Sequence, residues 1–251
     1  MRFRLKAFGM HLGASAGTLT LILGGLFLGW YRWPGWYLTE VVHVLVLVLM
    51  ADLILGPALT LVVAHPAKPR PVLKRDITII AAVQIVALGY GAWTLWSGRP
   101  LYYTYSEDRL EMVQASDLST DEIARARREN PALAPSWRSL PRWIWAPLPE
   151  DPAEAARIAE GVVLGGGADV IDMPRYFKPW ADGLPALRKV LQPAPHLKNL
   201  APGQMRRLLE RLRRDGVATN ENNAIFMWGH GLRLVAVFDS RTQLPRLYRL
   251  D

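Results

Sequence analysis

The chain has 251 residues and no cysteine, 51% of its residues are hydrophobic, and its formal net charge is +8. This length accommodates a small membrane bundle and one modest soluble domain. The lack of cysteine excludes disulfides and any thiolate metal or redox site. Residues 1–96 carry eight Lys and Arg against three acids, whereas the remainder carries 22 against 19. A basic excess beside apolar runs indicates membrane flanks, so we expect no nucleic-acid partner.

The first predicted span covers residues 11–30, an apolar run of about the length that crosses a bilayer as a helix. No small-x-small cleavage site follows it, and an aromatic cluster typical of the water interface begins at Trp30. Gly13 and Gly17 are four residues apart, a spacing that lets a second helix approach closely. They either pack this span within the chain or receive a partner helix.

The second predicted span, residues 41–64, carries Asp52 at its middle and Gly56 and Pro57 one turn later. An ionisable side chain at that depth costs roughly 2.5–3.5 kcal/mol on insertion scales, so it is normally kept out of lipid. Pro57 has no N–H and its ring crowds the carbonyl of Leu53, which predicts a kink.

The third predicted span, residues 77–96, carries Gln84 near its centre. Asp52 and Gln84 therefore lie near mid-membrane on adjacent antiparallel spans. One interpretation is an internal hydrogen bond between them, or to Ser15 or Thr18, that fixes the bundle. The other is that Asp52 meets a polar or charged group of a partner helix.

The placement of Lys and Arg predicts the orientation. Three basic residues precede the first span and four lie in the 65–76 loop, whereas the 31–40 loop carries only Arg32. We therefore expect a multi-pass protein of the cell inner membrane, in contact with the lipid bilayer, with a cytoplasmic N-terminus. Three crossings then put the chain after Ser97 in the periplasm.

The predicted fold class is a membrane α-helical region of three transmembrane helices, residues 1–98, followed by an extracytoplasmic α+β domain, residues 99–251. In that domain the pattern predicts a strand or hairpin at 101–113 and helices at 120–128, 152–164, 184–191 and 202–215. Alternating apolar residues at 225–228, 232–238 and 244–248 predict a closing antiparallel sheet.

The helix at 202–215 has an apolar face and an arginine face, and its role is left open. The arginines are either solvated or contact anionic headgroups or an acidic partner surface. His230, between two glycines, has no nucleophile motif and no second histidine at ligand spacing, so a turn residue is the preferred interpretation.

The N-terminal motifs resemble a known family over residues 1 to about 113. The block from Asp52 to Leu61 is the most specific part, and the others are Lys6-Ala7-Phe8-Gly9, His11-Leu12, Asp76, Gln84, Ala87-Leu88, Tyr90-Gly91 and Arg99-Pro100. In order and spacing they resemble the type IV pilin accessory proteins of the TfpX/TfpZ type. The resemblance implies a dedicated, chaperone-like membrane protein that assists the major pilin, and it implies no catalytic residue.

Three functions follow as hypotheses. The leading one is a non-enzymatic accessory factor, with no metal or cofactor, that binds the membrane helix and the periplasmic head of the major type IV pilin. Its tentative partner-binding residues are Asp52, Gly56, Pro57, Gln84, Gly13 and Gly17, and a homo-oligomer is possible. The alternative is a small oligomeric transporter or proton-linked protein that uses Asp52 and Gln84. The third is a membrane-anchored periplasmic enzyme, for which acids such as Asp169 and Asp172 show no catalytic spacing.

Overall fold

The computed structural model describes residues 1–165, 167–239 and 242–251. The chain divides into two compact units, Met1–Arg99 and Pro100–Asp251. The first is all helical, and the second combines helices with one sheet.

The helical unit contains α1 (Arg2–Gly29), the short α2 (Gly35–Leu38), α3 (Val42–Leu49), α4 (Gly56–Val63) and α5 (Arg70–Ser97). A π-helical turn, Met50–Leu55, joins α3 to α4 without a break. In the described chain three helices are long and apolar enough to cross a membrane: Arg2–Gly29, Val42–Val63 and Arg70–Ser97. The three predicted apolar helices are therefore confirmed.

Two of these helices begin earlier than the apolar pattern predicts. α1 includes the basic N-terminal segment, and α5 begins at Arg70, inside the stretch predicted as a loop. Apolar patterning marks only the part of a helix that suits lipid, whereas Arg and Lys are good helix formers and extend it into water. Pro71 lies in the first turn of α5, where a missing N–H costs nothing.

α1 and α5 meet at the end that carries Trp30 and Trp96. The Tyr31 hydroxyl donates to the carbonyl of Leu95 at 2.6 Å, and the Trp30 and Trp96 rings meet edge to face with centroids 5.1 Å apart. Leu26, Tyr31, Val41 and Leu95 form the buried cluster there. The predicted aromatic cluster therefore also holds α1 against α5 at this end.

The helical unit exposes much apolar surface. Leu21, Leu47 and Val86 are 79%, 70% and 73% exposed. Such a continuous apolar surface on a helical bundle suits contact with lipid chains better than contact with water.

The second unit is built on a seven-stranded sheet in the order β4-β3-β1-β2-β5-β6-β7. The strands are β1 (Pro100–Ser106), β2 (Arg109–Gln114), β3 (Arg142–Trp145), β4 (Lys178–Pro179), β5 (Ala224–Trp228), β6 (Arg233–Val237) and β7 (Arg246–Arg249). The predicted hairpin at 101–113 and the closing β5–β6–β7 antiparallel ladder are confirmed.

The sheet as a whole is mixed, which corrects the prediction of an antiparallel one. β1 pairs with β3 in parallel, and β2 pairs with β5 in parallel. Each of these pairs is joined by a long connection that contains at least one helix, and such connections allow parallel pairing. Local alternation along a strand does not reveal the direction of its neighbour.

Within the described residues of this unit, four α-helices accompany the sheet: α6 (Thr120–Glu129), α7 (Pro152–Val163), α8 (Trp180–Val190) and α9 (Pro202–Arg214). Ser119 and Asp151 cap α6 and α7 by accepting from the amides of Glu122 and Ala153. One buried cluster forms around Tyr102, Ile144 and Phe177, and a second around Leu208, Leu212 and Val235.

Candidate functional site: a polar-floored cleft between helices

The π-helical turn puts Asp52 at the centre of the helical unit. Within it the amide of Gly56 donates to the carbonyl of Ala51, five residues back. Pro57 has no amide hydrogen, so the chain cannot supply the next backbone bond. The wider turn makes room for the proline ring and is the local distortion that the kink prediction anticipated. Isolated π-turns are frequent at functional sites.

Gln84 of α5 provides the bonds that this turn lacks. Its Nε2 lies 3.4 Å from the carbonyl oxygen of Asp52 and 3.3 Å from the carboxylate oxygen Oδ1. One amide group therefore serves both the freed backbone carbonyl and the acid. This contact is the first of the two interpretations that the sequence left open for Asp52.

Gly56 makes this approach possible. A Cβ atom at residue 56 would overlap the side-chain amide of Gln84. Gly56 and Pro57 are both buried in the helical unit, close to the acid that they frame. The structure therefore brings four of the six predicted residues together: Asp52, Gly56, Pro57 and Gln84.

Of the four polar side-chain atoms of Asp52 and Gln84, two have no hydrogen-bond partner among the described residues. Asp52 is only 3% exposed, yet its Oδ2 has no hydrogen-bond partner among the described residues, and neither does Oε1 of Gln84. A buried acceptor without a partner costs about 1–3 kcal/mol, and more when it is charged. Both oxygens are themselves buried, so the helical unit carries this cost at its centre.

The two side chains face a cleft of about 650 Å³. α1 forms one wall and α5 the other, while Asp52 and Thr60 form the floor between them. The α1 wall is lined by Phe3, Lys6, Ala7, Met10, His11, Ala14, Ser15 and Thr18, and the α5 wall by Ile77, Ala81, Gln84, Ile85 and Leu88. The cleft separates residues 3–18 of α1 from residues 77–88 of α5.

A second polar contact crosses the floor of the cleft. His11 Nδ1 of α1 lies 2.5 Å from the hydroxyl of Thr60 on α4. Thr60 is 2% exposed. This pair ties α1 to α4 one turn or more from Asp52. Its residues lie in the motifs that carry the family resemblance but were not among the predicted partner-binding residues. A histidine and a threonine eight residues beyond an acid carry no local pattern that would reveal the contact.

Gly13 and Gly17, the other two predicted partner-binding residues, lie outside the cleft. Both are on the exposed side of α1, neither lines the cleft, and an added Cβ at either would meet nothing within 4 Å. The small residues that open the α1 wall are instead Ala7, Ala14, Ser15 and Thr18. These four residues lie on one face of α1, opposite the polar floor. They therefore identify the α1 wall of the cleft better than the glycine pair does.

An apolar depression continues the gap between α1 and α5 towards the Trp30–Trp96 end. It has a volume of about 530 Å³ and is lined by Ile22, Gly25, Leu26, Trp30, Gly89, Ala92, Trp93 and Trp96. Gly25 and Gly89 both adjoin open space. Small residues in facing positions allow a third helix to approach two others closely.

The second unit has a polar pocket of its own, lined by Glu111, Asp117, Asp172 and His230 among others. Burial, helped by the nearby carboxylates of Asp117, Asp169 and Glu111, raises the pKa of Asp172 to about 7. His230 Nε2 lies 3.2 Å from Asp117 Oδ2. In the described part of the chain no group of three or more His and acidic residues is arranged to hold a metal ion.

The arginine face of α9 is only partly free. Arg211 donates to the carbonyls of Arg249 at 2.9 Å and Asp251 at 3.1 Å, so it secures the C-terminal strand. Arg206, Arg207, Arg213 and Arg214 are exposed. Their role stays a prediction.

Comparison with known proteins identifies relatives in Dichelobacter nodosus. The fimbrial assembly protein of serogroup I is 25% identical over 193 residues, which cover 76% of this chain and 72% of the relative. That of serogroup E1 is 24% identical over 195 residues, with the same two shares. That of serogroups C1 and C2 is 26% identical over 124 residues, 49% of this chain and 95% of the relative. The chain is similar to fimbrial assembly proteins.

This similarity reaches both structural units, because a match over 193 residues is longer than either the 99 residues of Met1–Arg99 or the 152 of Pro100–Asp251. No protein-family model matches the chain. No solved structure matches it either.

Proposed function

We propose that this protein is a non-enzymatic, chaperone-like accessory factor of type IV pilus biogenesis. It lies in the inner membrane, binds the major type IV pilin, and supports its stability, assembly or dynamics. The N-terminus is cytoplasmic and the sheet-containing unit is periplasmic. The similarity to fimbrial assembly proteins across both units is the observation that carries this proposal.

The cleft supplies a physical basis for the proposal. A pilin waiting for assembly is one hydrophobic helix with a soluble head. The helical unit offers an open gap between α1 and α5 with small residues on both walls and a polar floor. In membranes, helix association depends on close packing and on hydrogen bonds, because apolar contact alone gives no advantage over lipid.

Binding of this kind would stabilise the pilin without catalysis. A partner that binds only the folded, inserted pilin stabilises it by mass action, by about 2.7 kcal/mol when the partner is at a hundred times its Kd. The sheet-containing unit would then hold the pilin head while the helix lies in the cleft.

The test is deletion of the gene followed by complementation with the wild-type chain, with Asp52→Ala or with Val86→Ala. We expect Asp52→Ala to insert normally but to lower pilin in the membrane and pilin co-purification. Val86 is 73% exposed and does not line the cleft, so Val86→Ala is the matched control and restores both. Normal pili and normal pilin levels in the deletion strain would contradict the proposed function.

A further inference from the structure

The cleft between α1 and α5 has a cationic end and a largely apolar interior. Lys6 lines it at the end where Phe3 of α1 and Ile77 of α5 also line it. Deeper in the cleft, the two polar contacts described above join an acid to an amide and a histidine to a threonine of this same chain. Most of the other side chains that line the cleft are apolar. The charge that the cleft presents to a guest is therefore at the Lys6 end.

α1 and α5 both begin at this end. Their last turns meet at Trp30 and Trp96, and their earlier turns face each other across the cleft, so the two helices run in the same direction. Neither helix has a capping side chain or an acid in its first turn. Unpaired amides at a helix N-terminus favour an anion. The first six residues of the two helices also carry six basic side chains: Arg2, Arg4, Lys6, Arg70, Lys74 and Arg75.

Lys6 has no acidic partner among the described residues. Residues 1–99 contain three acids, and each is placed elsewhere. Glu40 follows α2, beyond the opposite end of α1, and Asp52 is buried against Gln84. Asp76 is bound by Lys68 at 2.8 Å. An anion that pairs with Lys6 therefore comes from outside the chain.

The cleft covers about the depth of one bilayer leaflet. From Ile77 to Leu88 the α5 wall rises eleven residues, about 17 Å at 1.5 Å per residue, and half of a hydrocarbon core is about 15 Å. Lys6 precedes the first predicted span, which begins at His11, by about 8 Å, and this places its ammonium at the level of the headgroups. Met10 and Ile85 line the cleft and are 68% and 70% exposed, so the cleft is open sideways to lipid.

We infer that the cleft binds one anionic phospholipid of the cytoplasmic leaflet, with the phosphate at Lys6 and an acyl chain between α1 and α5. The ammonium of Lys6 pairs with the phosphate, and the positive ends of the two helices strengthen the attraction. Basic pockets between transmembrane helices on the cytoplasmic side suit such headgroups. The inference rests on the membrane location in the proposed function but not on pilin binding, and a pilin helix that enters the cleft displaces the lipid.

The experiment is native mass spectrometry of the full chain in mild detergent, incubated with phosphatidylglycerol or with phosphatidylcholine that has the same acyl chains. We expect about ten-fold more bound phosphatidylglycerol, at one molecule per chain. Lys6→Gln removes the charge at the cleft and lowers bound phosphatidylglycerol about five-fold. Lys74→Gln removes an exposed charge of α5 that does not line the cleft, so it is the matched control and leaves binding nearly unchanged.

A second pair of variants tests the acyl chain without changing any charge, and it also covers the case in which Lys6→Gln is lost from the membrane. Ala81 lines the α5 wall, so Ala81→Phe fills the cleft with a ring. Ala82 is exposed and does not line the cleft, so Ala82→Phe is the control. We expect bound phosphatidylglycerol to fall about five-fold in Ala81→Phe and to stay unchanged in Ala82→Phe, because a full cleft excludes the chain.

Inorganic phosphate in excess distinguishes a lipid from a free anion. We expect it to leave the bound phosphatidylglycerol in place, since phosphate gains nothing from the apolar walls. Complete displacement by phosphate, equal binding of the two lipids, or unchanged binding in Lys6→Gln or in Ala81→Phe would each overturn the inference. None of these results affects pilin binding, which the pilin levels of the deletion strain decide separately.

Discussion

Gly56 and Gln84 are complementary across the contact between α4 and α5, because the amide of Gln84 occupies the space that a Cβ at residue 56 would need. The glycine is thus the reason that Gln84 reaches both the carbonyl and the carboxylate of Asp52.

Gly56→Ala is expected to displace Gln84 and to leave a further polar atom of Asp52 without a partner. The cost is about 1–3 kcal/mol, partly offset by about 1 kcal/mol of better helix propensity. Thermal unfolding of the detergent-solubilised protein measures it. Gly89→Ala adds the same methyl group into open space and is the control. Equal melting temperatures for the two variants would mean that the Gly56–Gln84 packing contributes nothing.

The alternative of a proton-linked transporter gives an opposite expectation for Asp52. In our proposal the carboxylate holds a helix and moves no protons, so Asp52→Asn in membrane vesicles leaves the proton leak and uptake rates unchanged. Vesicles with the wild-type chain and vesicles without the protein are the two reference samples. A dependence on the proton-motive force that vanishes in Asp52→Asn would favour the transporter.

Asp172 makes the stability of the chain depend on pH. Its pKa is raised to about 7 in the folded protein, so between about pH 4 and pH 7 the folded state holds more protons than the unfolded state. Stability therefore falls as the pH rises through this window. Asp172→Asn removes the effect and should raise Tm at pH 8 by about 3 °C, the shift typical of roughly 1 kcal/mol, with little change at pH 4.

Tryptophan fluorescence of the full chain follows that transition. Asp182→Asn, on α8 and outside the acidic pocket, is the control. If Asp172→Asn raised Tm by the same amount at pH 4 and at pH 8, Asp172 would not be the titrating group.

Arg211 should differ from its neighbours on α9. Arg211→Ala removes the two bonds to the carbonyls of Arg249 and Asp251, and we expect a loss of about 1 kcal/mol, since hydrogen bonds from a charged group that is partly exposed are at the lower end of their range. Arg207→Ala, an exposed site, should stay within about 0.5 kcal/mol. Chemical denaturation measures both, and equal losses would contradict the assigned role of Arg211.

The sequence predicts the apolar helices and the positions of the two polar residues within them well, because both depend on local composition. Hydropathy reveals where Val42–Val63 lies, and Asp52 and Gln84 are conspicuous among apolar residues. The caps of α6 and α7 are local signals too. These features need no knowledge of which helix lies beside which.

What the sequence could not provide depends on tertiary placement. Gly13 and Gly17 have the spacing of a packing motif, yet the side of α1 that faces the cleft is determined by how α1 meets α4. The His11–Thr60 contact joins residues 49 positions apart. The parallel pairing of β1 with β3 likewise depends on the long connection between them.

The π-helical turn also determines which residues share a face. Val48, Asp52, Gly56 and Thr60 are all buried and are spaced four apart. At 3.6 residues per turn, each step of four advances about 40°, so three steps would rotate Thr60 by about 120° away from Val48. The π-helical turn rotates less per residue than an α-helix, so it offsets this rotation and keeps the four residues on one face of the helix. A regular α-helix of the same length between Met50 and Leu55 would therefore swing Thr60 away from His11, leaving every side chain intact but out of phase.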